Sequence, residues 1–182
     1  HADLILVGDS LGSVLYNYTT TRKVTLTEMI NHSKSVKLGI KKSLMVVDMP
    51  YKTYDTKKSA LKNARKVIKE TKCDAVKLEG GKKVIDQIKI LIKNKIPVMG
   101  HIGFTPQFKK KFKIEGDTKN KASKLLNEAK NIEKAGAFSI VLECINPKAS
   151  KLITNNLKIP TIGIGSSIYC DGQILVTDDM LG

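Results

Sequence analysis

Short apolar runs alternate along this chain with longer segments in which apolar residues recur every three or four positions. The runs Leu4 to Gly8, Leu44 to Val47, Ala75 to Leu78, Pro97 to Gly100, Ser139 to Glu143, Pro160 to Gly163 and Ile174 to Val176 are rich in Val, Ile and Leu. Runs of this kind read as strands of a parallel sheet covered on both faces. Between them, Thr25 with Glu28 three residues on has the spacing of a capping box opening a helix that Gly39 ends. A helix from about Thr56 carries Ala60, Ala64, Val67, Ile68 and Thr71 on one face. Val84 to Ile92 and Leu125 to Ile132 repeat the helical period, Gly136 closing the second, and Asn146-Pro147 open a helix to about Asn155. Tyr16 to Thr21 reads as a loop.

Seven strand candidates separated by helices, with no antiparallel hairpin signal, predict an α/β fold of the (β/α)₈ TIM barrel kind rather than an open sheet. Such barrels usually take about 250 residues and eight strands. The 182 residues are therefore expected to form a single barrel domain over 1–182, truncated at one or both ends, and the start inside an apolar run at His1-Ala2-Asp3-Leu4 points to the N-terminal side.

Four of the runs end in a carboxylate: Asp9, Asp48, Glu79 and Glu143. In parallel α/β folds the ligand lies beyond the C-terminal ends of the strands, so the four would converge on one mouth. An acid after a strand is also a common helix or turn cap, and one case alone would be read that way. Two or three carboxylates withdrawn from water call for a cation, and an all-oxygen set favours Mg²⁺ over zinc. A 2-oxo acid could chelate that ion through its carbonyl and carboxylate oxygens while a base removes the neighbouring proton to give an enolate. Lys77, two residues before Glu79, points to the same side of its strand, where it either meets a substrate carboxylate or balances buried acids.

The formal charge of +15 raises a nucleic-acid reading. Against it, arginine occurs at Arg22 and Arg65 alone, and the lysines are spread through nearly every helix rather than gathered in a stripe. The densest patch, Phe108-Lys109-Lys110-Lys111-Phe112-Lys113, interleaves aromatics with charge as single-strand binders do. No apolar run approaches the roughly 18 residues of a membrane span. Cys73, Cys144 and Cys170 are odd in number and lack zinc-ligand spacing, which fits a reducing cytoplasm.

Six blocks resemble the ketopantoate hydroxymethyltransferase family, in the family's order and across the whole chain: Gly8-Asp9-Ser10-Leu11-Gly12, Val47-Asp48-Met49-Pro50-Tyr51, Val76-Lys77-Leu78-Glu79-Gly80-Gly81, Gly100-His101-Ile102-Gly103-Phe104-Thr105-Pro106-Gln107, Val141-Leu142-Glu143-Cys144 and Asp171-Gly172-Gln173-Ile174-Leu175-Val176. The resemblance implies a barrel of the phosphoenolpyruvate/pyruvate-like type, lacking here its first strand and helix and its C-terminal helices. It implies a cytoplasmic, Mg²⁺-dependent homo-oligomer, decameric in type. The implied reaction transfers a hydroxymethyl group from 5,10-methylenetetrahydrofolate to 3-methyl-2-oxobutanoate, giving 2-dehydropantoate for pantothenate synthesis.

By the same resemblance, Asp9, Asp48 and Glu79 are metal residues, Asp9, Ser10, Asp48 and Lys77 contact the oxo acid, and Glu143 is the proton acceptor. His101 falls in a matching block without an assigned role. The lysine-rich segment after Gln107 and Ser166-Ser167 depart from the family pattern. Gly8-Asp9-Ser10-Leu11 also spells the GDSL esterase motif, but none of His1, His32 and His101 follows an Asp by three to supply its base. Another Mg²⁺-dependent oxo-acid lyase or mutase of the same barrel type would share Asp9, Asp48 and Glu79. The Gly-His-x-Gly-x-Thr-Pro and Glu143-Cys144 blocks favour the transferase over it.

Overall fold

The computed structural model of the chain describes residues 2–109 and 111–182. His1, read above as part of the first apolar run, and Lys110 of the basic loop lie outside the described residues. The chain packs as two compact units, one running to Leu78 and including Asp86–Met99, the other comprising Glu79–Ile85 and Gly100–Gly182.

In the first unit, β1 (Leu4–Val7) pairs in parallel with β2 (Leu44–Asp48), and β2 with β3 (Ala75–Lys77). β3 in turn pairs with the start of β4 (Val98–Gly103) through Val76↔Val98 and Lys77↔Met99. Successive residues Met45, Val46 and Val47 are all fully buried, as are Val98 and Met99, so both faces of these strands are covered. The helices that connect them are α1 (Leu11–Tyr16), α2 (Leu26–Gly39), α3 (Lys57–Thr71) and α4 (Ile85–Lys93). Thr25 and Glu28 form the expected capping box, each side chain bonded to the other's backbone N–H. α3 buries Ala60, Ala64, Val67 and Thr71 of the stripe its period predicts, while Ile68 is half-buried.

The second unit takes up β4 at Gly100 and continues through α5 (Lys119–Lys134), β5 (Ser139–Glu143), α6 (Pro147–Thr154), β6 (Thr161–Ile164), β7 (Gly172–Gln173) and α7 (Thr177–Leu181). β5 pairs in parallel with β6, and β6 with β7. Ile132 of α5 seats directly against Gly100, where an added Cβ would come within 2.5 Å of Ile132 Cγ2. A side chain at that strand position would push the helix off the sheet.

Strand order follows chain order from β1 to β7. An open doubly wound sheet would reverse at a switch point, so sequential order is the order of a (β/α)₈ barrel. Three elements differ from the sequence expectation. β4 runs on to Gly103 instead of stopping at Gly100, because the buried His101 continues the strand where the apolar run ends. α1 forms directly after Ser10, in a stretch that precedes the predicted Tyr-Thr loop. The last strand is Gly172–Gln173 rather than Ile174 to Val176, since the Asp171 carboxylate accepts from the Thr161 N–H (2.8 Å) and hydroxyl (2.9 Å) and brings the chain to β6 two residues early.

Removing the N-cap hydroxyl with Thr25→Ala is expected to destabilise the protein by about 1 kcal/mol, read as a lower urea midpoint with an unchanged slope.

Candidate active site

The first unit gathers three of the expected residues. Asp48 ends β2 and Lys77 ends β3, and the two stand opposite one another in the strand register. Side chains of paired residues share a face of the sheet, and Lys77 Nζ accordingly lies 3.0 Å from Asp48 Oδ1. The other carboxylate oxygen, Oδ2, accepts the Asp9 N–H at 3.0 Å. Asp9, Asp48 and Lys77 are 4%, 3% and 4% exposed, so two acids and one ammonium are removed from water together. Charges withdrawn to this degree are held only with partners. Ser10, the N-cap of α1, makes no side-chain capping bond. A Cβ placed on Gly8 would meet Ser10 Oγ at 3.0 Å and Asp48 Oδ2 at 3.6 Å, which locates the hydroxyl on the carboxylate side of the turn.

A second cluster lies wholly in the other unit. Glu79 follows β3 by two residues, and His101 and Glu143 stand on β4 and β5. His101 is 2% exposed, with Nδ1 3.4 Å from Glu79 Oε1 and Nε2 3.2 Å from Glu143 Oε2. Glu79 Oε2 also accepts the Gln107 N–H at 3.1 Å. The ring is thus set between two carboxylates that come from different segments of the chain. The Glu143 side chain is 18% exposed against 3% for Glu79, making it the member of the cluster most open to a ligand.

Cys144, next to Glu143, is neither a base nor a nucleophile near neutral pH. Burial, with a further contribution from Glu143, pushes its thiol up to about 11. Lys109 of the basic loop is tied internally, its ammonium donating to the Gly103 carbonyl at 2.8 Å and to Glu115 Oε1 at 2.6 Å. That lysine is therefore a strut of the loop.

Each acid expected at a strand end is present there, and His101, which had no assigned role, proves to be the link between two of them. The missing signal was its pair of partners, far away in the sequence. Among the described residues, no three His, Cys, Asp or Glu side chains converge tightly enough to hold a metal by themselves. No helix among them is long and apolar enough to cross a membrane.

The class of protein can now be stated: a parallel α/β barrel enzyme with buried, partnered acids at its strand ends. The solved structure of a phosphonomutase-like protein from Burkholderia cenocepacia matches with a TM-score of 0.68 at 12% identity, over 89% of this chain and 68% of that one. A 2,3-dimethylmalate lyase, described as a PEP mutase/isocitrate lyase superfamily member, matches with a TM-score of 0.63 at 11% identity, over 88% of this chain and 58% of that one. Those likenesses establish the fold. The ketopantoate hydroxymethyltransferase family model matches residues 1–182, and the chain belongs to that family.

Relatives named 3-methyl-2-oxobutanoate hydroxymethyltransferase include one from Pelagibacter ubique, 62% identical over 100% of this chain and 71% of that protein. Others are those of Clostridioides difficile, 52% identical over 98% and 66%, and Anaplasma marginale, 50% identical over 100% and 67%. The chain thus spans 71% of the first relative's length and about two thirds of the other two.

With all three cysteines buried, and burial raising each thiol, iodoacetamide at pH 8 is expected to leave Cys73, Cys144 and Cys170 unmodified in the native protein and to label them after denaturation. Peptide mass spectrometry reads the difference.

Proposed function

We propose that the protein transfers a one-carbon unit from 5,10-methylenetetrahydrofolate to 3-methyl-2-oxobutanoate as a hydroxymethyl group, water supplying the hydroxyl, to give 2-dehydropantoate and tetrahydrofolate. The observation that carries this reading is the division of the strand-end acids into two partnered groups. Asp48 is committed to Lys77 and the Asp9 backbone, whereas Glu143 meets the His101 ring and keeps the most open carboxylate of its cluster. Identity of 50–62% to relatives bearing that activity in their names supports the substrate assignment.

Mg²⁺ suits the donor set. Asp9 and Asp48 offer oxygen ligands alone, and Mg²⁺ is commonly held by one or two carboxylates with water and substrate oxygens completing its shell. Asp9 and Asp48 would hold it. When bound, the ion would draw electron density from the oxo acid's carbonyl oxygen and so acidify the proton on C3.

The remaining work falls to the chain's own groups. Glu143 accepts the C3 proton, breaking the C–H bond so that C3 can form its new bond to the one-carbon unit. His101, with Nε2 3.2 Å from Glu143 Oε2, orients that carboxylate. Lys77 and the Ser10 hydroxyl bind the oxo acid, Lys77 opposing its carboxylate while keeping its contact with Asp48. The wider setting we propose is the reducing cytoplasm, with the complete protein assembled as a homo-oligomer. The three free, buried cysteines are in keeping with that compartment.

In Glu143→Gln, exchange of the C3 proton of 3-methyl-2-oxobutanoate with deuterated water is expected to slow by about 10²-fold or more while Mg²⁺ and substrate still bind. Exchange at the normal rate would remove Glu143 as the base. Asp48→Asn is expected to weaken Mg²⁺ by roughly tenfold or more in titration calorimetry, since even a ligand-supporting partner is worth that much. Unchanged affinity would remove Asp48 from the metal set.

A further inference from the structure

Glu143 is flanked by unusual backbone on both of the segments that hold it. Directly after it, Cys144 adopts φ +53°, a left-handed conformation that a residue with a Cβ rarely takes. In an extended strand the N–H and C=O of one residue point toward the same neighbouring strand. At Cys144 they part: the N–H donates to the Ile164 carbonyl of β6 at 3.0 Å, and the carbonyl accepts from the Glu115 N–H at 2.8 Å. The left-handed turn is what sends them to two different segments.

Across from it, Gly103 at the end of β4 has φ +95°, and the Phe104 N–H donates to the Glu143 carbonyl at 2.8 Å. A Cβ on Gly103 would stand 2.1 Å from that carbonyl oxygen and 2.7 Å from Ile145 Cγ1. No side chain fits between the two strand ends. The carbonyls of Glu143 and Cys144 are therefore fixed from separate segments, while His101 Nε2 stands 3.2 Å from the carboxylate.

We infer that Gly103 and Cys144 are positioning residues for Glu143, a backbone clamp that aims its carboxylate at the reacting carbon. The inference rests on the reading of Glu143 as the proton acceptor. Cys144 serves through its conformation, its thiol being buried and protonated. Strain of this kind persists where the surroundings over-determine it, and here three hydrogen bonds from three segments do so. A reacting group displaced by about 1 Å commonly loses two orders of magnitude in rate, which sets the size of the effect.

The test compares Gly103→Ala, Cys144→Val, Cys144→Gly and Glu143→Gln in the complete protein, reading C3 exchange, kcat, the oxo-acid KM and folding by circular dichroism. Gly103→Ala and Cys144→Val are expected to lower kcat and C3 exchange by about 10²-fold with KM little changed. Cys144→Gly, which takes the left-handed conformation freely, is expected to stay within about threefold of the parent. Should Gly103→Ala fail to fold, the Val and Gly variants at position 144 decide the matter. Parent-like kcat in folded Cys144→Val, or equal losses in Cys144→Val and Cys144→Gly, overturns the clamp. Glu143→Gln separates the two readings: an active variant removes the base assignment, whereas an inactive one beside an unimpaired Cys144→Val removes the clamp alone.

Discussion

A carboxylate taken out of water must be met by a donor or a positive charge, at a cost of several kcal/mol if it is not. That requirement shapes the strand ends of this protein. Asp48 is met by Lys77 across the register and by the Asp9 N–H, and Glu79 by the Gln107 N–H and by His101. These partners sit in otherwise apolar strands, where they cost stability unless every contact is kept. Residues that would be liabilities in a core chosen for stability are thus kept in place by one another.

The sheet supplies the rest of the order. Parallel pairing puts Asp48 beside Lys77 because their strands end at the same level, and alternation along β4 turns His101 away from Gly100, which faces α5. Rigid strands then end abruptly at Gly103 and Cys144, both with positive φ, so that Glu143 stands at the last regular position of β5. A side chain at the end of a strand is held more firmly than one on a free loop. Loops carry the variation, as in the lysine-rich segment after Gln107, where Lys109 braces its own loop against Glu115.

Much of the fold was legible because burial on both faces leaves a plain mark, an unbroken apolar run. Met45 to Val47 and Ile140 to Leu142 were read in this way and proved to be central strands. Where polarity interrupts the run, the reading shortened the element, as in β4 at His101. The last strand slid for a related reason: Ile174 to Val176 has the right composition, but the hydrogen bonds that Thr161 donates to the Asp171 carboxylate decide where the chain meets β6. The site divides similarly. Acids at strand ends are visible as local patterns, and Lys77 was open to both a substrate and a balancing role. Its Nζ lies 3.0 Å from Asp48 Oδ1, a contact that both roles allow.

By itself the sequence determined which acids follow the apolar runs, the helix cap at Thr25, and the family to which the six motif blocks belong. Those are consequences of spacing and residue type over a few positions. Only the tertiary structure decided that His101 spans Glu79 and Glu143, that Asp48 is paired with Lys77, and that the Glu143 backbone is held from Phe104, Glu115 and Ile164 through itself and its neighbour. Each joins groups distant in the chain at hydrogen-bond range, and such distances follow from how strands align and where their backbones turn.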